Sequence, residues 1–218
     1  MALELPSAFN EYLFVEKKRG RAQDLETLIH KEYEALEPRC KVRCGDANSV
    51  LADWCAETDW RKNRAVVFLD PYGMSVDWAT IKCLADTNAI DLWLLFPLGV
   101  GLNRLLTRGG RPPANWSAKL TRILGTEEWE PAFYQDMKID SLFGEQTQTV
   151  KVATFPSMKQ FVLQQLASTF TAVAPSALML FNTKQNPMYL LCFAAGNPRG
   201  ADPAIRIAEH LLKTLAER

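Results

Sequence analysis

Between residues 12 and 96, short apolar runs alternate with stretches of helical periodicity, and this alternation limits the fold more than any other feature. Tyr12-Leu-Phe-Val15 is an apolar run that ends at Glu16. Ala22 to Leu36 places Leu25, Leu28, Ile29, Tyr33 and Leu36 at helical spacing, with Pro38 as the stop. Lys41-Val-Arg-Cys44 reads as a strand leading into Gly45-Asp46, and Ala47 to Glu57 as a helix with Val50, Leu51 and Trp54 on one side. Ala65-Val-Val-Phe-Leu69 is a β-type run that stops at Asp70-Pro-Tyr-Gly73, a turn signal. Trp78 to Asp86 is a short helix, and Ile90 to Phe96 a further strand closed by Pro97. Strand and helix recur at about 25-residue spacing, and the strands are apolar on both faces. The pattern predicts an α/β fold: βα units on a buried, mostly parallel sheet with helices on both sides. The crossovers should be right-handed.

The pattern changes from Gly99 to Phe155. RGGRPP (108–113) is a loop, Trp116 to Leu124 and Glu127 to Phe133 read as short helices, and the stretch to about Val152 is polar and irregular. The expectation is a single domain over 1–218 that carries 108–155 as a helical and irregular insertion. Trp116, Trp129, Phe133, Tyr134 and Phe143 give that insertion enough apolar surface to pack. Ser157 to Phe170 is a helix, and Pro203 to Leu215 is the last one. Ala177 to Phe181 and Met188 to Phe193 are strands joined by six residues, too few for a parallel crossover, so they form an antiparallel hairpin.

Charge and composition exclude some functions. The chain has 25 basic and 25 acidic side chains, so its net charge of zero argues against a broad electrostatic grip on nucleic acid and leaves open a local patch. The longest apolar stretch, Ala89 to Leu102, is interrupted by Asp91 and Pro97 and falls short of the about 20 residues a membrane span needs. The start of the chain has no basic region followed by an apolar one. Five cysteines in odd number without a CxxC pair point to reduced thiols in a cytoplasmic protein. With His30 and His210 as the only histidines, neither a structural zinc nor a Cys–His nucleophile is expected. Cys40 and Cys44 are expected on one strand face, as core.

In an open parallel sheet, ligands sit at the carboxyl ends of the strands. Glu16, Asp46 and Asp70 each end a strand and are expected on one rim. A carboxylate there can accept two hydrogen bonds from a ribose diol. Glu16 also fits a solvated loop residue at the head of the EKKRGR run. Asp46 also fits an N-cap for the helix from Ala47, and its two roles are compatible. Asp70-Pro71-Tyr72-Gly73 is the sharpest motif. Its carboxylate can accept a proton from a group being alkylated, and its Tyr offers a face for a planar base; D-P-x-G is also ordinary turn chemistry. Asn103 and Arg104, with Arg108 and Arg111, read either as a basic lip for phosphate or as a solvated helix face. Lys17, Lys18, Arg19 and Arg21 suit an exposed loop, and Asn197-Pro-Arg199 a cap for the last helix.

Glu16 at its strand end, Gly45-Asp46-Ala47, Asp70-Pro71-Tyr72-Gly73, the run 90–96 and the terminal hairpin together resemble class I S-adenosylmethionine-dependent methyltransferases. More closely, FLDPYGMSVDWATIKCLADTNAIDLWLLFPLGVGLNRLL (68–106) resembles the three-Cys-motif partner protein family, TcmP, with short blocks at 1–16 and 176–196 extending the likeness over most of the chain. The resemblance implies a Rossmann-like sheet and S-adenosylmethionine as cofactor. It implies cofactor contacts at Glu16, Lys17, Gly45, Asp46 and Ala47, and a catalytic Asp70, Pro71, Tyr72 and Gly73. It further implies a nucleic-acid or base-like substrate and a separate three-cysteine, radical-SAM-like partner protein. The sequence departs from the family in two places. The second Pro of the family's D/N-P-P-Y/F motif is absent, and no glycine-rich turn follows a first strand, Gly99 and Gly101 coming after the strand 90–96 instead. The expectation is a copy truncated before that first strand, acting either as a methyltransferase-like enzyme in its longer form or as a non-catalytic interaction partner. A dinucleotide oxidoreductase lacks the same glycine turn, and a hydrolase lacks a G-x-S-x-G elbow.

Overall fold

The alternation read from the sequence becomes β1 (Tyr12–Glu16), α1 (Arg19–Glu32), β2 (Cys40–Cys44) and α2 (Ala47–Glu57) in the first of two units, Met1–Glu57 and Thr58–Arg218. The computed structural model describes residues 2–5, 9–141 and 144–217. In the first unit β1 and β2 pair in parallel, from Tyr12 opposite Cys40 to Glu16 opposite Cys44. The Gly45 amide carries the ladder one step on by donating to the Glu16 carbonyl at 3.0 Å. α1 buries Ala22 and Ile29, seven residues apart and so on one helical face. It stops at Glu32, short of the expected Leu36, because the chain tightens into 3-10 turns over Glu34–Arg39 with Pro38 inside them. Cys40 is half-buried and Cys44 exposed, so the expectation that both are core fails: among the described residues β2 pairs with β1 alone, and its carboxyl end faces solvent.

The second unit contains β3 (Ala65–Leu69), α3 (Trp78–Asp86), β4 (Ile90–Phe96), a π-type turn at Leu98–Leu102, α4 (Asn103–Leu105), α5 (Ala114–Leu124) and α6 (Trp129–Phe133). There follow β5 (Tyr134–Ser141), β6 (Gly144–Lys151), α7 (Phe155–Ala167), β7 (Ala172–Val173), β8 (Leu178–Phe181), β9 (Pro187–Ala195) and α8 (Ala201–Ala216). β3 and β4 are parallel, and β4 takes β9 antiparallel on its other side, from Asp91 opposite Ala195 to Phe96 opposite Leu190. β7 and β8 share the far edge of β9, both antiparallel to it. The protein is therefore α/β with a mixed sheet. The expected continuous sheet is divided: among the described residues no ladder joins β1–β2 to β3–β4.

Strand residues alternate between faces. One face of the second-unit sheet carries Val67, Leu69, Leu92, Leu94, Leu190 and Cys192, all buried. α3 packs on β4, α7 on β9, and α5 on α3. Burial pushes the Cys192 thiol up to about 12. The opposite face carries Trp93, Leu191, Phe193 and Ala195, packed against Ala201, Ala208 and Leu212 of α8, with the Trp93 and Phe193 rings 4.8 Å apart. α8 lies against β9 and β7, and among the described residues β3 has no second neighbour. Val66 and Phe68 are consequently 51% and 61% exposed, which corrects the reading of this run as a strand buried on both faces.

The stretch expected to be irregular after Phe133 is a hairpin, β5–β6, paired from Tyr134 opposite Lys151 to Ser141 opposite Gly144. Its Thr residues favour the extended chain, but its polar sequence supplies no apolar alternation, which hid it from the pattern. The aromatics at its base pack as expected: Trp129, Phe133 and Tyr134 are buried, Phe133 sits 5.0 Å from Phe161, and the Trp129 indole N–H donates to Thr121 Oγ1 at 3.0 Å. Trp116 is exposed, and Phe143 lies outside the described residues. α7 begins two residues before the expected Ser157, because Thr154 caps it in a reciprocal pair of bonds with Ser157. The hairpin β8–β9 forms as expected, its loop closed by Asn182 Oδ1, which accepts from the amides of Lys184 (2.9 Å) and Asn186 (3.0 Å). Among the described residues no helix is long and apolar enough to cross a membrane.

Candidate functional site

The carboxyl ends of β1 and β2 bring Glu16, Lys17, Gly45, Asp46 and Ala47 to one rim of the first unit, because the parallel register sets Glu16 opposite Cys44. Asp46 is heavily engaged there. Its Oδ2 accepts from Lys17 Nζ at 3.0 Å, and its Oδ1 accepts from the Asn48 amide at 3.0 Å and from Asn48 Nδ2 at 3.1 Å. The Asn48 bond is an N-cap bond to the second residue of α2, so the capping role read from the sequence is present. The Lys17 hydrogen bond, with the Asn48 amide after it, holds the Asp46 carboxyl below its usual range. Glu16 turns one oxygen back to the Lys18 amide at 2.8 Å, which closes the turn into α1. Its other oxygen has no partner among the described residues. For binding a ribose diol Glu16 thus has a free acceptor, whereas Asp46 would first have to release Lys17. At Gly45 an added Cβ would come within 3.0 Å of Val50 Cγ2, so the backbone passes close to α2.

In the second unit β3 delivers Asp70 to its carboxyl end, where the carboxylate is exposed. Pro71 is half-buried, Tyr72 is 96% exposed, and Gly73 has φ +64° in the open, the left-handed conformation that this turn requires. The turn covers a small apolar void of about 10 Å³ bounded by Pro71, Met74, Leu94 and Phe96. That is about the space of one water molecule, so no ligand site lies beneath the motif. Asp70 and Tyr72 present their chemistry to solvent. Glu16 and Asp46 belong to a different unit and a different sheet, so the expectation of three acids on the rim of one sheet is corrected by the division of that sheet.

The basic residues after β4 separate into distinct roles. Arg111 is committed to Glu130 (2.5 Å), Asp136 (3.4 Å) and Thr149 Oγ1 (3.2 Å), tying the β5–β6 hairpin to α6. Arg104 is exposed on α4, and Asn103 accepts from Lys151. Arg19 and Arg21 lie within α1 rather than in a loop, since the helix starts at Arg19. Asn197 Oδ1 accepts from the Arg199 amide at 3.2 Å in the turn before α8.

Asp91 was not singled out by the sequence: burial pushes its carboxyl up, and it accepts from the Gly196 amide at 3.2 Å. Lys151 also escaped, although a lone Lys between Val150 and Val152 is the kind of interruption that marks a buried charge. Among the described residues no three His, Cys, Asp or Glu side chains gather to hold a metal. Comparison with protein-family models, curated proteins and solved structures finds no match to this chain.

Proposed function

We propose that the chain is a methyltransferase-like α/β protein whose cofactor is S-adenosylmethionine and whose substrate is a nucleic acid or a base-like molecule. The observation that carries this reading is Asp70-Pro71-Tyr72-Gly73 at the exposed carboxyl end of β3, in a sheet where parallel β3–β4 is followed by the reversed strand β9 and its partner β8. This is the arrangement that the resemblance to class I methyltransferases implies for the second unit. Glu16 would hold the cofactor's ribose through its free carboxylate oxygen, Asp46 and Ala47 would border the adenine, and Gly45 would keep the backbone close. The cofactor, when bound, supplies an electrophilic methyl group. Asp70 accepts the proton or hydrogen bond of the attacking group, and Tyr72 gives a planar substrate a stacking face. Either this role or the second one below is set in the cytoplasm, where five unpaired cysteines remain reduced.

Calorimetric titration of S-adenosylmethionine into the chain tests this. Saturable binding is expected, weakened by Glu16→Ala and retained by Asp70→Ala, while Asp70→Ala removes methyl transfer without lowering Tm. Absence of heat at millimolar cofactor ends the proposal.

The exposure of Val66, Phe68 and Tyr72 favours a second reading, a non-catalytic partner of a three-cysteine, radical-SAM-like protein. An edge strand with free N–H and C=O groups and apolar side chains is a template for another chain. Phe68→Asp is then expected to abolish co-purification with such a partner and to leave Tm within a few degrees. A complex that withstands this substitution removes the second reading.

A further inference from the structure

A cleft in the second unit holds positive charge that no carboxylate among the described residues answers. It measures about 410 Å³ and is lined by Asn103, Arg108, Val150, Lys151, Ala153 and Phe155. None of these is acidic. Lys151, the last residue of β6, donates to Asn103 Oδ1 at 2.8 Å, to the Leu106 carbonyl at 3.0 Å and to the Asn103 carbonyl at 3.4 Å. These three oxygens fix the ammonium on the cleft wall, but all are uncharged. Burial, and after it the charge of Arg108, pushes the Lys151 amine down, so the two cations feel one another across the cleft. Arg108 is exposed and has no hydrogen bond or ion pair among the described residues. Arg111, three residues further on, is paired with Glu130 and Asp136, so acids are at hand nearby and none reaches Arg108. Phe155 opens the 13-residue helix α7, whose positive end borders the same cleft.

We propose that this cleft binds the phosphate group of a small phosphorylated molecule, with Arg108 as the uncommitted fork, Lys151 as the fixed charge, and Phe155 against the ligand's apolar part. Two cations match a phosphate monoester dianion, and the planar guanidinium matches its oxygens in a bidentate bond. The size of the cleft falls within the range of about 300–1,000 Å³ in which small-molecule sites occur. Lys151 needs no rearrangement to take part, because its charge acts from where three oxygens already hold it. The lining of the cleft includes none of the residues assigned to the methyltransferase reading, and the proposal does not depend on that reading.

The probes are phenyl phosphate, inorganic phosphate, phenol and a short single-stranded oligonucleotide, each titrated into the full chain by amide NMR and calorimetry. Phenyl phosphate is expected to saturate, to bind more tightly than inorganic phosphate, and to move the Phe155 and Lys151 signals, while phenol does neither. Arg108→Ala is expected to weaken phenyl phosphate by about tenfold or more, and Arg108→Lys to restore part of that loss, since a point charge replaces only part of the fork. Arg108 is exposed and makes no hydrogen bond or ion pair among the described residues, so both variants should keep the wild-type Tm. Equal binding by wild type and Arg108→Ala overturns the proposal. So does an oligonucleotide that binds this surface while phenyl phosphate does not, because the cleft would then be part of a polyanion track.

Discussion

Replacing Phe133 by Ala should lower the stability of the second unit by about 3–5 kcal/mol, the range for emptying a buried aromatic site. Phe133 is 1% exposed and packs on Phe161, which joins α6 to α7 beneath the β5–β6 hairpin. Its carbonyl also accepts from the amides of Val152 at 2.9 Å and Ala153 at 3.3 Å, so movement at this position reaches the end of the hairpin. Urea unfolding followed by tryptophan fluorescence measures the loss, with Met137→Ala as a control. Met137 is 51% exposed on β5 and should change stability by less than about 0.5 kcal/mol. A loss at Phe133 no larger than that at Met137 would mean that the aromatic base of the insertion is not part of the core.

Gly99→Ala is the second large effect. The π-type turn after β4 passes so close to the start of β9 that a Cβ on Gly99 would run into the Pro187 carbonyl oxygen. The obstacle is backbone, and that backbone is fixed by the pairing of β9 with β4 and β8. The substitution should therefore cost about 3 kcal/mol, the upper end of what overpacking costs, and separate Pro187 from the turn. Circular-dichroism melting of Gly99→Ala beside Gly109→Ala gives the comparison, since Gly109 has open space around it. Equal melting temperatures would show that the turn can shift without strain. This close approach gives Gly99 a structural role, whereas the resemblance had suggested only that its glycine pair follows the wrong strand for a cofactor turn.

The βα alternation was legible because apolar runs bounded by Pro, Gly and Asp leave little freedom: β3, α3, β4 and α2 fall at the residues read from the sequence. What escaped depends on neighbours distant in sequence. Val66 and Phe68 have the same composition whether or not a second strand or a helix lies over them, so their exposure is a tertiary fact. The β5–β6 hairpin escaped because Gln, Thr and Lys alternate without an apolar face, and β7 because two residues carry no period. The candidate rim was half legible. Glu16, Gly45 and Asp46 come together as read, through the parallel register of two short strands. The bond that occupies Asp46 comes from Lys17, which the charge-run reading had assigned to an exposed loop. Lys151 was hidden because its significance lies in the oxygens of α4 and the turn after it, 45 and 48 residues away along the chain.

The anchoring of Gly196 by Asp91 bears on how the second unit reaches its native state. These residues are 105 apart in sequence, and the β4–β9 register beside them spans nearly as much of the unit. Helices α3 and α5 and the β5–β6 hairpin use local contacts and can form on sub-millisecond timescales. The β4–β9 ladder must first close a loop holding α4 to α7 and β5 to β8, and it gains no contact energy until that entropy has been lost. The central pairing is thus expected to be the late, rate-setting event, and until it occurs the apolar edge of β4 stands open to any other extended chain that arrives first.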